Sequence, residues 1–225
     1  MNKKTINTKR VKKPWPTKDA MDQVYKMNLW GDNNTPFYSG FGSHDPNLVK
    51  PYIDVVASFL KSFKSPLNVC DLGCGDFNIG KELVKYTNQY IGVDVVSDLI
   101  THNKEKFKAE RLEFQCLDLA KDNLPSGDCA LVRQVLQHIS NLEVQNIITK
   151  LRAYKYVIIT EHLPHGTFIP NKDIISGQGI RLKKQSGLNL LEAPFYFKVK
   201  HAEILLSVSL PEFKGEIVTT FYEVF

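Results

Sequence analysis

The first 13 residues contain no acidic side chain, and the rest of the 225-residue chain has no excess of basic ones. Lys3, Lys4, Lys9, Arg10, Lys12 and Lys13 stand in that opening segment, whereas residues 14–225 set 23 basic against 24 acidic groups. The net charge of +5 therefore belongs to the terminus. A remainder so near neutrality excludes a broad basic stripe, so nucleic acid is not the expected partner. Residues 1–16 read as a basic, flexible tail. Cysteine is scarce: Cys70, Cys74, Cys116 and Cys129 include no C-x-x-C pair, which argues against a zinc ribbon and a disulfide framework. Three fall in or beside expected buried strands and read as small core residues. No apolar run is long enough to span a membrane, and the N-terminus lacks the apolar core of a signal peptide. A cytoplasmic protein is expected. No internal repeat or low-complexity tract is present. Carboxylates with metal-ligand spacing are missing from the expected strand ends, so no metal is expected.

One stretch organises what is present: Val69 to Gly80, VCDLGCGDFNIG. Leu67, Val69 and Leu72 supply an apolar strand. Gly73 and Gly75 permit a tight turn and close approach of backbone to a ligand. Ile79, Leu83 and Val84 then begin a helical stripe. A strand, a glycine turn and a helix start form a nucleotide-type cradle. Asp71 stands two residues before the first glycine, and the third glycine, Gly80, comes late. Both features depart from the G-x-G-x-x-G of a dehydrogenase and disfavour a nicotinamide cofactor.

This D-x-G-x-G pattern resembles motif I of the class I S-adenosylmethionine-dependent methyltransferases. The resemblance implies a doubly wound, Rossmann-like α/β sandwich, with a mostly parallel seven-stranded sheet and an antiparallel C-terminal hairpin. It implies S-adenosylmethionine as cofactor and S-adenosylhomocysteine as product. Asp71, Gly73, Cys74 and Gly75 would then face the methionine end. Asp94 ends the strand-like YIGVD about 20 residues beyond the turn, the separation of a ribose-gripping carboxylate. It would hold the diol with Val95 beside it; the alternative is a cap for a helix from Ser97 to Phe107. LEFQCLDLA, 112–120, is expected to be a strand, and by the resemblance Asp118 and Leu119 would meet the adenine. Arg133 and Gln134, at the exit of a fourth strand within 128–141, would contact the methionine end or position the acceptor.

The catalytic candidates are His138, Glu161 and Arg181. His138 is either a base on the acceptor or a packing histidine. Glu161, His162 and His165 emerge from a fifth strand, 156–164, on the edge where open α/β sheets bind ligands. Arg181, with Lys183 and Lys184, suits an anionic acceptor or is a solvated basic loop. Ser140 and Glu143 form a capping box before a helix bearing Val144, Ile147, Ile148 and Leu151. Thr17 is the expected cap of a first helix. Trp30 to Ser43, WGDNNTPFYSGFGS, is either a lid whose aromatics cover the cofactor, Trp30 among them, or a loop packed on the core. From Asp45 a second helix carries a full apolar stripe, with Pro51 at its start or at a kink.

The chain thus divides into the tail and one domain, 17–225. The domain comprises N-terminal helices and lid (17–64), a cofactor core (65–161), a substrate-side insertion (162–200) and a closing hairpin (201–225). Asn171-x-Asp173-Ile174, Arg181, Asn189-Leu190 and Pro194-Phe195 loosely resemble a bacterial subgroup associated with surface-glycan biosynthesis. The expected reaction is methyl transfer to a small-molecule or glycan-type acceptor, on a sugar, phosphate or carboxylate oxygen. RNA methylation recruited by the tail and a non-catalytic cofactor-binding module are the alternatives.

Overall fold

The computed structural model describes residues 14–211 and 214–225. Most of the basic tail, residues 1–13, lies outside the described residues. Seven strands form one sheet: β1 (Asn68–Leu72), β2 (Gln89–Asp94), β3 (Leu112–Cys116), β4 (Cys129–Arg133), β5 (Tyr156–Leu163), β6 (His201–Ser209) and β7 (Glu216–Glu223). Their spatial order is β3-β2-β1-β4-β5-β7-β6, and the first five run parallel. β7 lies antiparallel between β5 and β6, so the last strand of the chain fills an interior position.

Period-two alternation divides each strand between two layers. From β1, Cys70 and Leu72 face one core with Val93, Ala130 and Val132. Helix α5 (Asn141–Leu151) covers that face with Val144, Ile147, Ile148 and Leu151, while α4 (Ser97–Lys106) puts Ile100 into the core on the opposite face. Val69 faces the other core with Leu131 and Ile158, beneath Tyr52, Val56 and Leu60 of α2 (Pro46–Lys61). Asp45 caps α2 by accepting the Asn47 N–H at 2.8 Å, and Pro51 sits inside a continuous helix instead of starting it. The capping box opens α5, as the Ser140-x-x-Glu143 spacing predicts.

Three local expectations are corrected. Pro16, in extended conformation, occupies the cap of α1 (Thr17–Lys26), and Thr17 is its first helical residue. The third strand stops at Cys116, because the Asp118 carbonyl accepts the amides of Lys121 and Asp122 in a tight turn. Cys116 itself is exposed, unlike buried Cys70 and Cys129.

The sheet order reverses between β1 and β4, whose carboxyl ends diverge and leave a crevice. The glycine turn after β1 and the loop after β4 face each other there. Residues 164–200 carry no strand and one short 3-10 turn, Arg181–Lys184. Leu188, Leu190, Phe195 and Phe197 anchor this segment in the core.

Candidate active site

The crevice holds a cavity of about 440 Å³, within the roughly 300–1,000 Å³ typical of small-molecule sites. The glycine turn forms its floor. Gly73 has φ +90°, and a Cβ there would lie 2.2 Å from Val135 Cγ2. The late Gly80 has a packing reason: a Cβ would strike the Phe77 ring at 2.3 Å and come within 3.0 Å of Asp71 Oδ2. Helix α3 (Gly80–Leu83) can pass this close to β1 only without a side chain.

Two carboxylates are buried beside the turn. Asp71 accepts the Tyr90 hydroxyl at 2.8 Å, and burial pushes its pKa up to about 7 against the lowering effect of that bond. Asp94 accepts the N–H groups of Gly75 and Val96, both at 3.1 Å. Burial raises its pKa as well, while the amides it binds pull the other way. Both line the cavity with Gly73, Cys74, Gly75, Val95, Asp118 and Leu119. Asp118 pairs with Lys121 at 2.7 Å and also accepts the Ala120 N–H. The structure thus brings these predicted cofactor residues onto one cavity.

Trp30, Arg133 and Gln134 line it too. The Trp30–Ser43 segment lines the crevice and is tied down toward its C-terminal end. The Ser39 N–H donates to Asp76 Oδ2 at 2.9 Å, the Ser39 hydroxyl accepts the Asp76 N–H at 2.8 Å, and His44 Nε2 lies 2.6 Å from the same carboxylate. Arg133 donates to the Gly42 carbonyl at 2.6 Å and lies 4.9 Å over the Tyr52 ring. Gly42 packs so closely on Gln134 that a Cβ would meet its Oε1 at 2.3 Å. The Trp30 ring sits 5.0 Å from that of His138 and 5.5 Å from that of Tyr25.

The three catalytic candidates are placed differently. His138 lines the cavity. Burial pushes its pKa down to about 4, against the carbonyls of Gly179, Gln178 and Gly177, which favour the proton. Glu161 is buried, and its two oxygens accept the N–H groups of Leu136 and Gln137, each at 3.0 Å. Burial raises its pKa to about 8, opposed by those amides, Arg181 and Arg133. Arg181 is neither open to solvent nor facing an acceptor. At 1% exposure it donates to the carbonyls of Leu136 (2.9 Å) and Ile139 (2.8 Å) and to Asn141 Oδ1 (2.7 Å). These three bonds engage both terminal nitrogens of the guanidinium inside the protein. His162 is buried away from the cavity lining, and His165 is exposed.

Glu143 was read only as half of a capping box, yet it lines the cavity. It accepts hydroxyl hydrogen bonds from Ser140, from Thr17 of α1 and from Ser176 of the insertion. Burial alone would raise its pKa, but bonds from Ser176, Thr17 and Ser140 outweigh that and lower it. The box was legible; its two distant partners left no local signal. Among the described residues no group of side chains could hold a metal ion, and no helix is long and apolar enough to cross a membrane.

Residues 70–154 match a family model described as a methyltransferase domain. The chain is 24% identical over 180 residues to an uncharacterized RNA methyltransferase of Chlamydia pneumoniae, covering 73% of this chain and 43% of that protein. It thus spans under half the length of that curated relative. The N-methyltransferase NodS of Bradyrhizobium japonicum WM9, in complex with S-adenosylhomocysteine, superposes with a TM-score of 0.66 at 11% identity, over 91% of this chain and 98% of that one. The magnesium protoporphyrin IX methyltransferase ChlM of Synechocystis PCC 6803, with bound S-adenosylmethionine, gives 0.59 at 17% identity, over 94% and 99%. Likenesses this low in identity establish the fold.

Proposed function

We propose that this chain, whose residues 70–154 match a methyltransferase-domain model and whose fold is that of S-adenosylmethionine-dependent methyltransferases, methylates a small acceptor on an oxygen that is already anionic, a carboxylate or a phosphate. The cofactor, when bound, supplies a methyl group on a sulfonium that departs as a neutral thioether and needs no acid. Gly73, Cys74 and Gly75 would hold its methionine side, with Arg133 and Gln134 above and Trp30 as cover. Asp71 would face the ammonium, Asp94 and Val95 the ribose, and Asp118 and Leu119 the adenine. The residues suit the group: burial destabilises charge on Asp71 and Asp94, and an ammonium and a diol are the partners that would compensate it.

One observation carries the acceptor reading: neither expected proton acceptor is free to act. The Nε2 of His138 lies 3.2 Å from the Gln137 amide, and its pKa is held near 4. Both oxygens of Glu161 are occupied by backbone N–H groups. An alcohol would need a base, whereas a carboxylate or phosphate brings its own nucleophile. The residues' contribution is then orientation and exclusion of water beneath the Trp30–Ser43 strap. Exposed Lys183, at the cavity lining, suits the charge of such an acceptor. Glycan-type molecules bearing these groups fall within the proposed class.

The test is methyl transfer to matched acceptors that differ only in carrying a carboxylate, a phosphate or an alcohol. Turnover is expected with the anions; a carboxylate acceptor stays ionised from about pH 6 to 8, whereas the second ionisation of a phosphate falls near pH 6. Turnover confined to the alcohol, or to RNA, would refute the proposal.

A further inference from the structure

The loop after β4 presents Gln137 and His138 to the cavity, and it is gripped from two sides. Glu161 takes its amides at Leu136 and Gln137. Arg181 takes its carbonyls at Leu136 and Ile139. The two grips come from elements far apart in sequence, β5 and the insertion, and their opposite charges support each other. Gln137 is only 6% exposed and spans the gap between this loop and the next strand. Its carboxamide has one orientation that satisfies both neighbours. Oε1 accepts the His162 N–H at 2.9 Å. The NH2 group is thereby turned to His138 Nε2, 3.2 Å away. An amide nitrogen donates and does not accept, so Nε2 must carry the lone pair and Nδ1 the proton. Nδ1 is buried and closes no hydrogen bond of its own, so the assignment rests on the Gln137 contact at Nε2.

We infer that Gln137, held by the Glu161–Arg181 clamp, is a positioning residue that fixes His138 as the neutral Nδ1–H tautomer, its Nε2 lone pair engaged and no base on the acceptor wall. Arg181 and Glu161 are positioning residues as well: they act through the loop and touch no reacting atom. The inference rests on the proposed function only where it names this wall the acceptor side. The tautomer is a property of the free protein and can be measured without cofactor or acceptor.

The experiment is 15N-NMR of the imidazole in the full chain, with His138 assigned through a His138→Gln control. The wild-type spectrum should show a pyridine-type Nε2 and a protonated Nδ1, unchanged between pH 6 and 8. Gln137→Glu keeps an acceptor for the His162 N–H but presents an acceptor to His138 too, so the tautomer should invert to Nε2–H. Gln137→Ala should give a mixture, and Arg181→Lys, which loosens the loop, should shift the same signals less. A wild-type Nε2–H tautomer, an imidazolium at neutral pH, or no change in Gln137→Glu would overturn the inference. If the spectra agree while only alcohols are methylated, the inference stands and the proposed function falls.

Discussion

Protonation of His138 should be a measurable load on the fold, and the sign follows from its burial. Its pKa falls from 6.5 to about 4 in the folded state, so the unfolded chain binds the proton more readily. The associated stability is fully present above pH 6.5, falls as pH drops through that value, and is gone below about pH 4. At pH 5 the two pKa values imply a loss of about 2 kcal/mol relative to pH 7, taken as a ceiling because the ring is partly exposed. Asp71 and Glu161 work in the opposite sense. Burial raises their folded pKa values to about 7 and about 8, so each favours the folded state more as pH falls. The total pH dependence therefore mixes opposing signs, and the comparison must isolate one residue. Urea denaturation of wild type and His138→Gln at pH 7 and pH 5 does so. The carboxyl effects cancel in the difference, and the wild type should lose about 1–2 kcal/mol more than the variant. Equal losses in both proteins would show that His138 is solvated and that its neutrality is no product of the fold.

Asp94→Ala should weaken S-adenosylmethionine binding by about 2–4 kcal/mol in calorimetry, since a charged acceptor and its two amide contacts are lost together. Gly73→Val should lose cofactor binding and also destabilise the fold, because φ is +90° and the new side chain meets Val135; a midpoint of thermal unfolding within about one degree of wild type would contradict this. Asp76→Ala removes the two carboxylate contacts to Ser39 and His44 and leaves the Asp76 N–H on the Ser39 hydroxyl, and amide exchange across 37–44 should rise while β1 and β4 stay protected. His138→Ala should lower turnover on an anionic acceptor by less than the roughly 10²–10⁴-fold expected for loss of a general base.

The parts of the site that were readable in the sequence are those written locally. Asp71, Gly73 and Gly75 fall within five residues, and Asp94 follows at the length of one helix and one strand, so spacing alone aligns them. The parallel order of the first five strands follows from alternating strand and helix signals. Arg181 was different. Beside Lys183 and Lys184 it reads as an exposed cation, and only the fold of a strandless insertion turns it inward onto three acceptors 40 to 45 residues away. Glu161 reads as a residue emerging from a strand end, where catalytic acids occur, but β5 runs on to Leu163 and the loop after β4 covers Glu161 with two amides. Glu143 shows the same limit: its cap is three residues away and visible, whereas Thr17 and Ser176 are joined to it by tertiary structure alone. β7 was readable as a strand, though its place between β5 and β6 was not, because a hairpin's pattern does not say which member pairs with the sheet.

The cavity is proposed to transfer methyl groups to a small anionic acceptor. The most direct measurement uses methyl-labelled S-adenosylmethionine with two separated pools, an ultrafiltered small-molecule extract and purified total RNA. Label is expected in the small-molecule pool, on carboxyl or phosphoryl oxygen, and should be lost with Asp94→Ala. Label entering RNA, with the small-molecule pool unlabelled, would contradict the proposal.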